Sequence, residues 1–308
     1  MSKPIQIRMG GYGPPSTGFS KSLKLIGDKL EAQFGRDIAV EYAFNIMDYG
    51  HKAEDILTLV ENGEMTLGYQ SSSYLTDRVP ELGFVDLPFL FSSNAQARAA
   101  MDGALGDFLA RKIEECINYR ILGWFENGFR HISNRLRSIH LPADMKGMKI
   151  RVLPSEIHRR TFDLLGAVAM RMDLTEAIAM IKAGTLEAQE NPLANTVTYG
   201  VHKFHKFHTL SYHFYISRPI FLHRPSFEGW PESLRSAMQT AVNEAVAFQR
   251  KLAVEEHDES YKAIEAEGCE INALTPKEHE AFVAAVQPLL ADARKTYGHA
   301  IFKMVPKA

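Results

Sequence analysis

Cysteine and long apolar runs are nearly missing from this sequence. Its 308 residues include two cysteines, Cys116 and Cys269, which stand far apart and without metal-ligand spacing. They therefore indicate neither a disulfide framework nor a zinc site. No apolar stretch approaches the roughly 20 residues that cross a bilayer, so we expect a soluble protein.

An excess of either charge is missing as well. The 35 basic and 37 acidic side chains are interspersed and give a formal net charge of -2. Without a basic block or stripe, nucleic-acid binding is not expected. The chain also lacks the basic start, apolar run and cleavage site of a secretory leader. We therefore expect either a mature form with a replaced start or a protein that never carried a leader.

The composition is that of an ordinary folded protein, and the length of the chain predicts two domains. Hydrophobic residues make up 45% of the chain, and α/β chains of this length commonly divide in two. A strand over residues 5–9, a loop over 10–18 and a helix over 19–34 begin a series in which strands and helices alternate. Such alternation predicts a largely parallel sheet covered by helices. A second series of the same kind begins near residue 129.

Several later segments have clear patterns of their own. The spacing of apolar residues predicts helices over 94–115 and 276–297, and a short strand over 185–188. From residue 230 to about 268 the helical pattern hardly breaks, which exceeds the roughly 8 to 20 residues of a globular helix. Such a helix could extend across both domains.

Arg151 is the first candidate for ligand binding. It lies near the carboxyl end of a predicted strand over 148–153, where open α/β sheets bind their ligands, and its planar fork suits a carboxylate. Arg130 supports the same role from a neighbouring segment, and Asn191 could donate its amide to an anion. Taken alone, structural ion pairs explain the arginines, and a turn before Pro192 explains the asparagine.

Other polar segments fit no catalytic or nucleotide-binding motif. The loop over 10–18 lacks the Lys-Ser/Thr ending of a P-loop and the spacing of a dinucleotide fingerprint. Tyr12 in this loop could face a ligand or simply pack. Ser71, Ser72 and Ser73 follow a predicted strand, but no Gly-x-Ser-x-Gly elbow surrounds them. Binding is the better role for these residues.

Histidine is concentrated in one segment, which contains His202, His205, His208 and His213. The spacing matches no HExxH motif and no carboxylate is interleaved, so we expect a solvated basic segment rather than a metal site. His213 stands in an apolar run and is expected to be a hydrogen-bonded structural residue.

An ordered set of short motifs resembles the TRAP-transporter solute-binding protein family, the DctP-like extracytoplasmic receptors, over nearly the whole chain. The motifs are Asn127-Gly128-Phe129-Arg130, the segment 141–152 around Lys149-Ile150-Arg151-Val152, Leu165-Gly166-Ala167, Glu176, and Gly184 followed by Gln189-Glu190-Asn191-Pro192. The resemblance implies a two-lobed α/β fold of the periplasmic-binding-protein type II class, with a hinge and a long lobe-spanning helix. Residues 1–127 plus about 217–256 would form the first lobe, and residues 128–216 plus about 257–308 the second.

The same resemblance implies a function in transport. The lobes would close around a small organic acid, and the protein would deliver it to the TRAP permease subunits in the membrane. No catalysis and no cofactor are implied, and the expected location is the periplasm. A monomer is expected from the resemblance.

The resemblance also assigns roles to individual residues. Arg151 would form the main salt bridge to the ligand carboxylate, with help from Arg130 and Asn191. The positions that vary with substrate are Tyr12, Gln70, Ser71, Leu174 and Tyr215. This mixture predicts a ligand with one carboxylate and a modest apolar or aromatic portion. The alternative is a hydrolase that uses the histidine-rich segment with the serines near position 71.

Overall fold

The computed structural model describes residues 3–307, in which nine strands form one sheet and eleven α-helices accompany it. The strands are β1 (Ile5–Gly10), β2 (Ile38–Ala43), β3 (Leu67–Tyr69), β4 (Tyr119–Asn134), β5 (Lys149–Val152), β6 (Val168–Arg171), β7 (Ala188–Asn191), β8 (Phe207–His223) and β9 (Glu270–Ala273). The helices are α1 (Gly18–Phe34), α2 (Asp55–Glu61), α3 (Asn94–Met101), α4 (Ala104–Cys116), α5 (Glu156–Leu164), α6 (Leu174–Lys182), α7 (Leu193–Thr198), α8 (Arg224–Gly229), α9 (Glu232–Ala266), α10 (Pro276–Ala285) and α11 (Gln287–Phe302).

Two long antiparallel strands, β4 and β8, form the middle of the sheet. The strand order is β2-β1-β3-β8-β4-β7-β5-β6, and β9 pairs with β8. On one side β1, β2 and β3 are parallel to one another, and on the other side β5, β6 and β7 are parallel. The molecule therefore has two α/β lobes, and β4 and β8 run through both.

The crossing between the lobes lies at an irregular point of β4. The pairing register with β8 shifts between Glu126 and Gly128, and Gly128 has a φ of 85°. A β-bulge of this kind bends a strand and increases its twist. It therefore marks where the strand changes direction between the lobes.

The apolar core is divided in the same way as the sheet. One large cluster contains Leu23, Ile26 and Leu30 of α1, which recur at helical spacing and pack with β1 and β3. A second cluster surrounds β5 and includes Ile150 and Phe162. The 35-residue helix α9 is about 52 Å long and contacts α1, β4 and α7. The prediction of a lobe-spanning helix is confirmed.

Three predicted elements differ from the structure. The helix over 94–115 is two helices, because Gly103 has extended backbone angles and begins α4. The strand over 185–188 is shifted, because pairing with β4 and β5 begins at Ala188. The C-terminal helix is also two helices, which meet at Val286 just before Pro288.

Candidate functional site

A small cavity lies between the lobes. Side chains from both lobes and from the two shared strands line it. They are Tyr12, Gln70, Ser71, Tyr74, Arg130, Arg151, Leu153, Leu174, Asn191, Asn195 and Arg218. Seven of the eight residues predicted to contact a ligand are therefore brought together, and the cavity contains three arginines.

Arg151 is held in this cavity without a carboxylate partner. It lies on β5 and is 1% exposed. Its Nε donates to the main-chain oxygen of Met172 at 3.1 Å, and its Nη2 donates to the Tyr74 hydroxyl at 3.0 Å. Within residues 3–307, no acidic group forms an ion pair with it. The positive charge is thus oriented, and the nearest buried carboxylate, that of Asp173, is linked to it only through the Tyr74 hydroxyl.

Arg130 is in the opposite situation, because it is paired with Glu190 of the neighbouring strand β7. Its Nη2 donates to Oε1 at 2.9 Å and to the main-chain oxygen of Glu190 at 2.7 Å, and its Nε donates to Oε2. Burial alone would raise the pKa of the Glu190 carboxyl, but Arg130, together with His213, holds it well below its usual range. This arginine therefore adds donors to the cavity with little net charge.

Asn191 ends β7, and its amide nitrogen donates no hydrogen bond within residues 3–307. Its Oδ1 accepts from Nδ2 of Asn195 at 3.1 Å, and the same Nδ2 donates to Oδ1 of Asn127 at 3.2 Å. With its oxygen engaged, the Asn191 side chain is turned so that its NH₂ group faces away from Asn195. It can donate to an anion in the cavity.

The neutral lining residues divide into free and engaged groups. The Tyr12 hydroxyl is buried and has no hydrogen-bond partner in the described chain. Gln70 is engaged at both ends, since it donates to the oxygen of Ala53 at 2.8 Å and accepts from the N–H of Ser71 at 2.9 Å. Leu174 supplies the apolar wall at the start of α6. Gln70 therefore shapes the cavity more than it offers hydrogen bonds.

Tyr215 is the predicted ligand residue that the structure does not bring to the cavity. Its hydroxyl donates to Oε2 of Glu126 at 2.7 Å, and its ring packs against Phe91 and Phe129. Burial raises the pKa of this phenol well above its ordinary value. The side chain supports β4 at the crossing between the lobes.

Four lining residues were missed by the sequence analysis: Tyr74, Leu153, Asn195 and Arg218. The Tyr74 hydroxyl accepts from Arg151 and from the N–H of Leu174, and donates to Asp173 at 3.3 Å. It joins the first lobe to the second, which no local pattern indicates. Arg218 had a signal, because it is a charged residue inside the apolar run of β8.

A larger groove lies beside the cavity but suits an anion poorly. It has a volume of about 220 Å³ and shares Asn195 with the cavity. Its walls include Glu126, Glu256 and Asp258 but no arginine or lysine. An organic anion would therefore find no arginine or lysine to bind there.

The histidine-rich segment differs from expectation in its environment. All four side chains are buried, so the expected solvated basic segment is wrong. Burial lowers the pKa of His205 to about 3 and that of His208 to about 4. Nδ1 of His213 lies 2.7 Å from the Ser211 hydroxyl, so the predicted structural role of His213 is confirmed. These residues belong to the core of the second lobe.

Comparison with known proteins identifies the family. The sequence profile of DctP, described as bacterial extracellular solute-binding protein family 7, matches residues 23–296. A solute-binding protein of Verminephrobacter eiseniae is 29% identical over 249 residues, which are 81% of this chain and 73% of that protein. The C4-dicarboxylate-binding periplasmic protein DctP of Rhodobacter capsulatus is 24% identical over 290 residues, which are 94% of this chain and 86% of that protein.

A solved structure shows the same fold. A TRAP periplasmic solute-binding protein from Polaromonas, crystallised with D-erythronate, superposes with a TM-score of 0.92 at 24% identity, covering 99% of both chains. No helix in the described part of this chain combines the length and apolar character that a membrane crossing requires. The function of the family is solute binding in transport, not catalysis. From its sequence profile and its fold, the chain belongs to the DctP family of TRAP solute-binding proteins.

Proposed function

We propose that this protein captures a small organic acid between its lobes and that Arg151 binds the carboxylate. The observation that carries this proposal is the buried guanidinium of Arg151, which forms no ion pair within the described residues. A buried charge without a counter-charge is costly. A ligand carboxylate supplies the missing charge and accepts charge-assisted hydrogen bonds.

The neighbouring polar groups complete the binding of the carboxylate. Arg130 contributes donors whose positions are fixed by Glu190, and Asn191 contributes its free amide. The Tyr12 hydroxyl is a further free group for the remainder of the ligand. The names of two relatives support an acid, since one binds a C4-dicarboxylate and the other holds D-erythronate.

Membership of the family supports delivery of the acid to TRAP permease subunits. We propose that the protein acts as a monomer in the periplasm and that its lobes close around the acid by hinge motion. The first lobe comprises residues 1–127 and about 217–256, and the second comprises residues 128–216 and about 257–308. The divided apolar core and the bulge near Gly128 support this division.

The proposal is tested by replacing Arg151 with alanine. We expect the melting temperature of the unmodified protein to rise with organic acids but not with their uncharged amides or esters. In Arg151→Ala this stabilisation should disappear, because the binding free energy falls by about 2 to 5 kcal/mol when a buried charged contact is lost. A thermal-shift screen of protein refolded to remove carried-over ligand measures both.

Arg36→Ala is the matched control, because Arg36 is exposed on the first lobe and has no ion-pair partner in the described chain. It should respond to acids like the unmodified protein. Equal binding of an acid by Arg151→Ala and the unmodified protein would contradict the assignment of the carboxylate site.

A further inference from the structure

Asn195, on α7, uses both hydrogens of its side-chain amide inside the protein. Its Nδ2 donates to Oδ1 of Asn191 at 3.1 Å and to Oδ1 of Asn127 at 3.2 Å. Because a carboxamide nitrogen has two hydrogens, these two bonds fix the orientation of the Asn195 amide. All three side chains are buried, and together they form a hydrogen-bonded group that we call the asparagine network.

One end of the asparagine network lies at the carboxylate site. The side-chain oxygen of Asn191 is bound to Asn195, and its nitrogen donates no hydrogen bond within residues 3–307. A carboxamide held by no hydrogen bond turns readily and presents either its oxygen or its NH₂ group to a neighbour. The oxygen repels a carboxylate, whereas the NH₂ group donates to it. The bond from Asn195 therefore selects the orientation that favours an anion.

The other end lies where β4 passes between the lobes. Asn127 stands between Glu126 and Gly128, where the register with β8 shifts and Gly128 has a φ of 85°. Gln249 of α9 holds the main chain of Glu126, because it accepts from its N–H and donates to its oxygen, both at 2.9 Å. The Asn127 amide nitrogen is buried without a partner in the described chain. Nothing but the bond from Asn195 anchors this side chain there by hydrogen bonding.

This end of the network is sensitive to rotation between the lobes. Asn127 belongs to the first of the proposed lobes and Asn195 to the second. Since its side chain has no other hydrogen bond among the described residues, Asn127 moves with the main chain of β4. Its contact with Asn195 is 3.2 Å long, at the upper end of the usual range, so a further separation of about 1 Å breaks it.

We propose that Asn195 is a positioning residue that turns the Asn191 amide toward the ligand carboxylate and makes this orientation depend on lobe closure. The proposal rests on the proposed function, in which Arg151 and Asn191 bind the acid. When the lobes are closed, Asn127 fixes Asn195, and Asn195 fixes Asn191. When they separate, Asn195 loses one of its two partners and holds Asn191 less firmly. An acid therefore binds the closed form more tightly and shifts the population toward it.

A purely structural role for Asn195 has a different consequence. If the residue only stabilises α7, its replacement weakens binding equally whether or not Asn191 retains its amide. If it acts through Asn191, its replacement weakens binding only while that amide is present. A double-mutant cycle of the two positions separates these cases.

The experiment is titration calorimetry with refolded, ligand-free protein and with acetate, succinate and D-erythronate as probes. Asn195→Ala should weaken the binding of a probe about 2- to 12-fold, the effect of one hydrogen bond. In Asn191→Ala the same replacement should change the affinity by less than about twofold. Asn118→Ala is the matched control, because Asn118 is exposed and its main chain alone forms a hydrogen bond in the described chain. It should bind like the unmodified protein.

The link to closure is tested with Asn127→Ala, which keeps the bond between Asn195 and Asn191. It should weaken binding within the same range, and it should have no further effect in Asn195→Ala. An affinity of Asn127→Ala equal to that of the unmodified protein would overturn the dependence on closure.

The remaining outcomes separate this proposal from the proposed function. Unchanged affinity in Asn195→Ala overturns the positioning role, as does equal weakening with and without Asn191→Ala. If the probes bind and are lost in Arg151→Ala while the cycle is additive, the proposed function stands and the positioning role fails. If no probe binds the unmodified protein, the proposed function itself fails.

Asn195→Asp keeps the proposal testable should Asn195→Ala not fold. The replacement conserves the size of the side chain but puts an acceptor in place of the donor. Asn191 should then turn its NH₂ group toward the new carboxylate and away from the ligand, which weakens binding at least as much as Asn195→Ala. Binding as tight as that of the unmodified protein would contradict the positioning role.

Discussion

The three cavity arginines are almost completely buried, yet their surroundings differ. A carboxylate neutralises Arg130, a carbonyl and a phenol orient Arg151, and three aromatic rings lie near Arg218. Only the first arrangement removes the charge. The cavity therefore contains one ion-paired arginine and two arginines that form no ion pair within the described residues.

The Arg130–Glu190 pair is tested by Glu190→Gln. Because the change leaves Arg130 buried without a counter-charge, the free energy of unfolding should fall by about 3 to 5 kcal/mol at pH 7. Urea denaturation measures the loss. Glu267→Gln is the control, since Glu267 is exposed and forms no ion pair in the described chain; it should change stability by less than about 0.5 kcal/mol.

The effect of Glu190 should depend on pH with a definite sign. Its folded-state pKa lies below the ordinary value, so its stabilisation is complete above the pKa of the unfolded chain and is lost as pH falls toward the folded-state pKa. The difference between the unmodified protein and Glu190→Gln should therefore shrink below about pH 4. A constant difference from pH 7 to pH 3 would contradict the ion pair.

Individual site residues were predictable only in part. Arg151, Arg130 and Asn191 stand in motifs that could be read directly, and all three line the cavity. Tyr74 and Arg218 could not be placed, because their partners come from segments far apart in the chain. Tyr215 pairs with Phe129 beyond the register shift near Gly128 and contacts Glu126, and local pattern reveals neither contact.

Among the elements, β4 is a strand on which the chain passes from one lobe to the other. Gly128→Ala should lower the free energy of unfolding by roughly 1 to 2 kcal/mol, because a side chain is strained at positive φ. The cost is conformational, since an added Cβ would lie 3.9 Å from Cγ of Glu126 and clash with nothing.

Gly123→Ala is the matched control on the same strand. An added Cβ there meets Val242 and Val246 at 3.6 Å, an ordinary contact, and the backbone is not left-handed. Urea denaturation of both variants separates the effect of φ from that of any added methyl group. A loss for Gly123→Ala as large as that for Gly128→Ala would show that backbone strain is not the cause.

Most elements followed from sequence periodicity, and the errors lie where tertiary contacts decide. The helix over 19–34 has a clear apolar repeat and the one over 230–268 has a helical pattern with hardly a break, and they match α1 and α9 closely. The break at Gly103 and the late start of β7 depend instead on backbone angles and on pairing with distant strands. Periodicity contains no information about either.

At the scale of the whole molecule, hydrogen bonds outside the cavity hold the lobes together. The N–H of Ala53 donates to the Thr175 hydroxyl at 2.9 Å, and the N–H of Glu54 donates to Asp173 at 3.1 Å.

Thr175→Val removes the hydrogen bond from Ala53 without altering the cavity wall. Because one hydrogen bond contributes about 0.5 to 1.5 kcal/mol, the affinity for an acid should fall about 2- to 12-fold as the closed state becomes less populated.

Titration calorimetry measures the affinity, and small-angle scattering should show a larger radius of gyration for ligand-free Thr175→Val. Thr175→Ser retains the hydroxyl and should behave like the unmodified protein. Unchanged affinity in Thr175→Val would mean that this contact does not contribute to closure.

The hydrogen bonds between the lobes also affect how long a ligand stays bound. Tyr199 donates to the oxygen of Tyr12 at 3.2 Å, so this bond too must break before an enclosed molecule can leave. The residence time of a bound acid then has a lower limit set by how often the lobes separate, whatever the strength of the contacts inside. A permease that holds the lobes apart would remove that limit and release the cargo at the membrane without weakening its binding elsewhere.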